Sequence, residues 1–384
     1  MLSLRVLERI RDVPRDRWDA LLREGSSPFM EHTWLDCLEE GGCVGQRSGW
    51  IPRHLALYDG DELVAAAPAY AKTNSMGEFV FDWSWADLAA RMGIDYYPKL
   101  VLAVPFTPAT GDRVLCHPKR DREETTAIFA KAVSTLVDEL ELSSAHVLFP
   151  GADEARAWGE AGFAVRHGVQ YHWSNASFRT FEDFLATLPQ KKRTQIRRER
   201  KQPAIDGVTI ETLARSDYTR ESAHAMYALY VTTVDKYHYG RRYLTKRFFE
   251  LVAERFADRL AWVFARKGSK ESDSAVVAGA FNVEKDGVVY GRYWGAHADM
   301  RFLHFNVCYY HGIDQAIRDG AQTFNPGAGG EHKRVRGFMP TLTHSAHHIR
   351  NARMRGAIES FLAREREAIA EYVACGGSSD EEPT

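Results

Sequence analysis

The spacing of apolar residues along this chain changes between the period of a helix and that of a strand. Two apolar runs joined at Asp59-Gly60-Asp61 predict a β-hairpin within residues 53–71, because Asp-Gly pairs tolerate the backbone of tight hairpin turns. A short continuous apolar run over 145–150 predicts a buried strand. Apolar residues three or four positions apart predict helices over 14–25, 30–42 and 125–142.

The second half of the chain repeats this order of elements without repeating the sequence. A second hairpin is predicted within 275–296, with its turn at Lys285-Asp286-Gly287. The other predicted elements are helices over 217–237, 245–258 and 307–320 and strands over 260–268, 321–327 and 341–349. The repeat predicts two tandem domains of mixed α/β (α+β) class, each a twisted mixed sheet flanked by helices.

The predicted organisation is a first domain over 1–168, a second over 169–350, a terminal helix over 351–374 and a disordered tail over 375–384. The aromatic stretch 72–108 is too apolar for a solvated linker and, because prolines interrupt it, is predicted not to be helical. The terminal helix is expected to dock on the body of the protein through one apolar face. That face comprises Ile358, Phe361, Leu362, Ile369 and Val373.

Composition narrows the classes of function. The formal charge of −2 and the pI of about 6.7 argue against a general electrostatic attraction to nucleic acid or membrane, so any basic function must be local. The cysteines form no CxxC pair, which is typical of reduced cytosolic thiols. No signal-peptide core opens the sequence, and no apolar run approaches the roughly 20 residues of a membrane span. We therefore expect a soluble, cytoplasmic protein.

The stretch FNPGAGGEHKRVRGF, residues 324–338, is the first candidate for chemistry. Its lysine is not followed by the Ser or Thr of a P-loop, and the stretch does not open a helix as a dinucleotide-binding loop does. Two interpretations remain open, a solvated hairpin tip and a functional loop, and the position after a strand favours the second. The charged side chains that such a turn presents together are Glu331, His332, Lys333, Arg334 and Arg336.

A dense basic segment is the second candidate. Seven of the eleven residues from 191 to 201 are Lys or Arg, and prolines on both sides predict one short helix. Arg193, Arg197 and Arg200 fall on one face of that helix, where guanidinium groups suit phosphate oxygens. A solvated helix face is the alternative interpretation of such a charge run.

The histidines and nucleophiles fit no familiar motif. Neither HExxH nor paired CxxC is present, so the sequence predicts no metal site. His332 and His344 are better candidates for a general base or a substrate contact. Without a GxSxG elbow, direct transfer with one base and an oxyanion stabiliser fits better than covalent catalysis.

Several long stretches between about Ser27 and about Ile349 carry a family resemblance. They include SPFMEHTWLDCLEEGGCVG, QYHWSNASFRTFEDFLATLPQKKRTQIRRER, YGRYWGAH, LHFNVCYYHGIDQAI and NPGAGGEHKRVRGFMPTLTHSAHHI. Together they resemble the FemAB-like N-acyltransferases of the GNAT superfamily, which are often labelled peptidoglycan-biosynthesis proteins. The resemblance implies two tandem GNAT-type domains and the transfer of an acyl or aminoacyl group to an amine.

The same resemblance bears on substrates. The segment ADMRFLHFN, where the superfamily's pyrophosphate loop is expected, contains no glycine, which disfavours ordinary acetyl-CoA binding. Fem ligases depart from that loop and use aminoacyl-tRNA. We therefore expect no tightly bound cofactor, an acyl-CoA or aminoacyl-tRNA as co-substrate, tRNA as a partner in the second case, and a small molecule or envelope precursor as acceptor. Asn306 and Asn325 stand where acidic residues are usual in the family, which would fit an inactive scaffold that binds RNA or an anionic envelope precursor.

The resulting site hypothesis centres on the second domain. His332 is the expected general base, and Tyr293 the expected general acid toward the leaving group. Backbone amides exposed between splayed strands would polarise the acyl carbonyl. The residues expected to bind substrate or donor are Arg193, Arg197, Arg292, Trp294, Asn306, Gly327, Gly329, Gly330, Glu331, Lys333, Arg334, Arg336 and His344.

Overall fold

The chain divides into two units whose boundaries fall inside long strands. The computed structural model describes residues 1–236, 241–268 and 275–377. One unit comprises Met1–Val169 together with Thr341–Thr384, and the other comprises Gln170–Pro340. Residues 341–350, which the sequence analysis placed in the second domain, therefore belong to the first unit.

The first unit opens with a strand, which the sequence analysis did not predict. Its strands are β1 (Leu2–Leu7), β2 (Trp50–Pro52), β3 (His54–Asp59), β4 (Glu62–Ala67), β5 (Ala69–Lys72), β6 (Lys99–Leu102), β7 (Leu115–Cys116), β8 (Ser144–Leu148) and β9 (Ala164–Ser174), the last of which continues into the second unit. Its helices are α1 (Arg15–Asp19), α2 (His32–Glu40), α3 (Trp83–Arg91), α4 (Arg122–Glu139) and α5 (Ala152–Glu160), with single 3₁₀ turns at Ile10–Asp12 and Pro28–Met30.

The predicted hairpin at residues 53–71 is confirmed. Strands β3 and β4 pair antiparallel, and Gly60 takes a φ of +61° in the turn between them. Helix α3 corrects the prediction for 72–108: the prolines of that stretch follow the helix, so they do not interrupt it.

The second unit holds the candidate site. Its helices are α6 (Phe181–Ala186), α7 (Gln190–Ile205), α8 (Arg220–Val234), α9 (Lys246–Arg255), α10 (Leu303–Phe305) and α11 (His311–Arg318), with 3₁₀ turns at Arg215–Asp217, Ala257–Arg259 and Glu331–Arg336. Its strands are β10 (Val208–Thr212), β11 (Val263–Lys267), β12 (Ala275–Lys285), β13 (Val288–Ala296) and β14 (Thr323–Asn325). With the end of β9 they form a sheet in the order β10-β11-β12-β13-β14-β9.

Two details of this unit differ from the prediction. Helix α7 continues through Pro203 to Ile205, although proline was expected to end it at that point. A π-helical turn, Asn306–Tyr310, joins α10 to α11, so that the helix predicted from 307 begins earlier and is irregular in its middle. Such turns occur frequently at functional sites. The second predicted hairpin is confirmed, since β12 and β13 pair antiparallel across Asp286-Gly287.

The chain returns to the first unit through β15 (Met339–Ile349) and α12 (Ala352–Ala374). Strand β15 pairs antiparallel with β8, so strand pairing assigns residues 345–349 to the first unit. Helix α12 buries Met354, Ile358 and Leu362 against α3. Phe361, predicted on the buried face, is 38% exposed because it lies beside that face. The tail predicted over 375–384 lies, from residue 378 onward, outside the described residues.

A cluster of buried charges lies in the first unit. The ammonium of Lys99 donates to Glu78 at 2.8 Å, to Ser75 at 3.0 Å and to Asp82. Tyr96 donates its hydroxyl to Asp82 at 2.6 Å. Burial raises the pKa of Glu78 to about 7, against the opposing effect of Lys99. Lys99 therefore compensates two carboxylates that have left water.

A second buried network joins β8 and β15. The Nδ1 atoms of His146 and His347 lie 2.7 Å apart, and each Nε2 lies 2.8 Å from a serine hydroxyl, of Ser144 and Ser345 respectively. One imidazole must donate through Nδ1 and the other accept, so the accepting ring is neutral, and burial disfavours a positive charge on either ring. Desolvation lowers the pKa of His146 to about 3.

Candidate active site

The sheet of the second unit opens where β14 ends. Strands β13 and β14 run parallel and pair as far as Tyr290 and Asn325, after which β13 continues to Ala296 paired only with β12. Next to this point Tyr293 pairs with Phe281 and Gly291 with Asn282, which leaves Arg292 as the extra residue of a β-bulge. Bulges redirect side chains and often lie beside active sites. The glycine-rich loop begins at the divergence.

The start of the loop is held by its own polar groups. The side-chain oxygen of Asn325 accepts the amide of Gly327 at 2.9 Å, and Gly327 takes a φ of +86°. A Cβ on Gly327 would lie 2.9 Å from the carbonyl oxygen of Gly291, so only glycine allows this approach. Buried Lys333 donates its ammonium to the carbonyls of Gly327 at 2.7 Å and Ala328 at 3.1 Å. The loop is therefore a built structure and not a solvated hairpin tip.

The 3₁₀ turn that follows presents His332. Its side chain is exposed, and its Nε2 lies 2.9 Å from the hydroxyl oxygen of Tyr309 on the π-helical turn. Tyr309 itself is buried, and burial raises its pKa, so the phenol stays protonated at neutral pH. The imidazole of His332 is thus oriented by a neutral partner while one side of the ring faces solvent.

The surroundings keep His332 neutral. Desolvation lowers its pKa, and the positive charges of Lys333 and Arg336 lower it further. His304 lies with its ring centroid 6.1 Å from that of His332, and burial lowers the pKa of His304 to about 4. Trp294 covers His304 at a centroid distance of 4.3 Å. The site therefore contains an unprotonated imidazole, that of His332, beside the packed rings of His304 and Trp294.

Arg336 is buried and turned inward. Its guanidinium lies 3.3 Å from the ring centre of Phe305 and donates to the carbonyl of His332 at 2.8 Å.

Asn306 donates its side-chain amide to the carbonyls of Glu199 and Phe302, both at 2.9 Å. An ionised carboxylate at position 306 could not donate these bonds, so the asparagine has a structural explanation independent of lost activity.

Some of the positive side chains of the basic helix α7 are paired with other groups of the protein. Arg197 pairs with Glu182 at 2.6 Å, and Arg193 donates to the carbonyl of Ala186 at 3.3 Å. Lys191, Arg198 and Lys201 are exposed, and within the described part of the chain they make no ion pair. The side chains available to an anion are therefore Lys191, Arg198 and Lys201, and they lie on a different face of α7 from the predicted one.

The other residues of the sequence hypothesis lie in several different parts of the structure. Tyr293 packs its ring on Tyr230 at a centroid distance of 5.0 Å, and the guanidinium of Arg292 lies 5.5 Å from the ring of Tyr293. His344 belongs to the first unit, where its ring lies 5.1 Å from that of His167. Gly329, Gly330 and Arg334 lie on the loop and turn beside His332, whereas the side chain of Glu331 is outside the described set.

Four residues in or beside this site were not predicted from the sequence: His304, Tyr309, and the pair Glu199 and Tyr310, which contact Arg336. Glu199 differs from its neighbours because it is the one acidic residue between 191 and 201. Tyr309 and Tyr310 are two adjacent polar aromatic residues within a predicted helix. Neither pattern indicates a partner, because Tyr309 and His332 are 23 residues apart in sequence. Among the described residues, no group of three or more His, Cys, Asp or Glu side chains could hold a metal ion.

Comparison with known proteins identifies the fold and the family. The family model named FemAB-like, described as peptidoglycan biosynthesis/recognition, matches residues 9–379. None of the curated proteins matches the chain. Among the residues that the structure describes, no helix has the length and hydrophobicity of a membrane span.

Solved structures agree with the family match. The crystal structure of FemX covers 90% of this chain and 98% of its own, at 12% identity and a TM-score of 0.53. The C-terminal DUF2156 domain of a putative lysylphosphatidylglycerol synthetase from Agrobacterium fabrum covers 91% and 94%, at 12% identity and a TM-score of 0.54. A conserved protein from Bacteroides thetaiotaomicron covers 90% and 99%, at 12% identity and a TM-score of 0.51. The predicted mixed α/β class is confirmed, since each unit combines strands with flanking helices and these structures share the fold.

Proposed function

The chain belongs to the FemAB-like family, and from that premise we propose that it transfers an acyl or aminoacyl group to an amine, with His332 as the general base. The observation that carries the proposal is the 2.9 Å contact between His332 Nε2 and the Tyr309 hydroxyl oxygen. A general base oriented by a hydrogen bond to a second group is a recurring arrangement in sites of proton transfer. The acceptor class we propose is the amine of a cell-envelope precursor.

The reaction needs one proton to move twice. In the tautomer with the proton on Nε2, His332 donates to Tyr309 and keeps a lone pair on Nδ1. As the amine attacks the acyl carbonyl, a C–N bond forms and Nδ1 accepts the proton that the amine loses. When the tetrahedral intermediate collapses, the bond to the leaving group breaks, and the imidazolium returns that proton to the departing atom. Backbone amides at the divergence of β13 and β14 would stabilise the oxyanion.

We propose two classes of donor, acyl-CoA and aminoacyl-tRNA. The exposed positive charges of α7 could contact either of them. Lys191, Arg198 and Lys201 are free to contact phosphates, which acyl-CoA and aminoacyl-tRNA share. A donor at 100 times its dissociation constant stabilises the folded protein by roughly 2.7 kcal/mol, so thermal unfolding with each donor class identifies the ligand. Double replacement of Arg198 and Lys201 by alanine should weaken the donor that binds and reduce the salt dependence of its binding.

The test of function is turnover by the full chain with each donor and a panel of amines. His332→Ala should lower kcat about 10²- to 10⁴-fold, the usual contribution of a general base. His297→Ala, at an exposed histidine of the same unit, is the matched control and should leave kcat unchanged. Full turnover in His332→Ala would remove the assigned role. Donor binding without any turnover in the wild-type protein would instead favour the inactive binding scaffold.

A further inference from the structure

Glu199 is a carboxylate enclosed within the basic helix α7. Although seven of the residues from 191 to 201 are Lys or Arg, Glu199 is only 1% exposed and points into the second unit. Gln195 donates to its Oε1 at 2.8 Å, and the hydroxyl of Tyr310 donates to its Oε2. Arg336 approaches the same Oε2 at 3.4 Å. A buried carboxylate is tolerated only when paired in this way.

Arg336 connects this carboxylate to the turn that carries His332. Its Nε donates to the hydroxyl oxygen of Tyr310 at 3.1 Å, and its Nη1 donates to the carbonyl oxygen of His332 at 2.8 Å. One side of the guanidinium therefore contacts Glu199 and Tyr310, and the other side donates to the backbone of His332. Loss of the Glu199 charge would leave Arg336 buried without its carboxylate partner.

The π-helical turn completes the arrangement. Its last two residues, Tyr309 and Tyr310, act on the same histidine by different routes. Tyr309 contacts the imidazole of His332 at 2.9 Å, whereas Tyr310 contacts Arg336 and Glu199. Ring and backbone of His332 are thus fixed by consecutive residues of one irregular helical turn.

We infer that Glu199 is a positioning residue for the transfer reaction, which orients Arg336 and through it the backbone of His332. The inference rests on the proposed function of His332, and it assigns to Glu199 no contact with substrate. A displacement of about 1 Å at a catalytic group can reduce the rate by about 10²-fold, so a residue of this kind affects kcat more than substrate binding.

The decisive variant is Glu199→Gln, which keeps the shape and removes the charge. We expect kcat to fall about 10- to 100-fold while KM changes less than about twofold. Glu211→Gln is the matched control, because Glu211 also pairs with an arginine of this unit, Arg266 at 2.9 Å, but its side chain is 53% exposed. Wild-type kcat in folded Glu199→Gln would overturn the inference.

A second readout does not depend on turnover. The imidazole ¹⁵N resonances of His332, assigned by comparison with His332→Ala, report its tautomer and orientation. They should shift in Glu199→Gln and in the milder variant Tyr310→Phe, and not in Glu211→Gln. Unchanged resonances in both site variants would overturn the positioning role. If the wild-type protein transfers nothing, shifted resonances still support that role, and only the proposed function fails.

Discussion

His146 and His347 share a hydrogen bond between their Nδ1 atoms, 2.7 Å apart, although 201 residues separate them in the chain. The bond requires a lone pair on the accepting Nδ1, so that ring must be neutral, and burial lowers the pKa of both imidazoles. Protonation of the accepting ring would place two donors opposite each other in a site where both residues are almost completely buried. The first unit should therefore be sensitive to acid.

The pH dependence of stability tests this relationship. The pKa of His146 falls from 6.5 to about 3 on folding, so between these values the unfolded chain binds the proton and the folded chain does not. The free energy of unfolding should therefore fall as the pH falls below about 6.5. His146 alone should account for about 2 kcal/mol between pH 7 and pH 5.

The measurement is urea unfolding of wild type and His146→Gln at both pH values. The variant should lose about 2 kcal/mol of the wild-type difference, because glutamine does not titrate. His297→Gln, at an exposed histidine, should keep the full difference. An equal difference in wild type and His146→Gln would show that the acid sensitivity arises elsewhere.

Lys99 should contribute strongly to the stability of the first unit. Replacement by methionine would leave the carboxylates of Glu78 and Asp82 buried without their cation, which typically costs about 3–5 kcal/mol. Lys72→Met is the matched control: Lys72 is equally buried, but its ammonium lies 3.9 Å from Glu78, and burial lowers its pKa to about 7. Denaturant unfolding should show a much smaller loss for Lys72→Met. Equal losses would contradict the compensating role of Lys99.

The pH profile of transfer should reflect the environment of His332. Desolvation and the charges of Lys333 and Arg336 lower its pKa, so the neutral base persists in acid where an ordinary histidine would be protonated. We expect the acidic limb of kcat/KM to lie below about pH 6.5. Two acceptor amines of different basicity separate the enzyme's limb from the substrate's, since only the latter moves with the amine. A limb at or above pH 6.5 that is common to both amines would argue against His332.

Local sequence patterns were sufficient for the elements that depend on neighbouring residues. The two Asp-Gly hairpins, the helix α4 and the glycine loop after β14 were all predicted, because each depends on residues within a few positions of one another. The prediction that α7 ends at Pro203 was wrong, and the π-helical turn before α11 was not predicted. At both places the tertiary surroundings override local propensity.

By itself, the sequence determined the two Asp-Gly hairpins, the mixed α/β class and the loop that carries His332. Only the tertiary structure decided that Glu199 turns inward from a basic helix, that Tyr309 meets His332, and that β15 returns to pair with β8. The physical reason is the range of the interactions. Periodicity and turn chemistry act between neighbours in the chain, whereas the pairing of buried polar groups depends on which distant segments the core brings together.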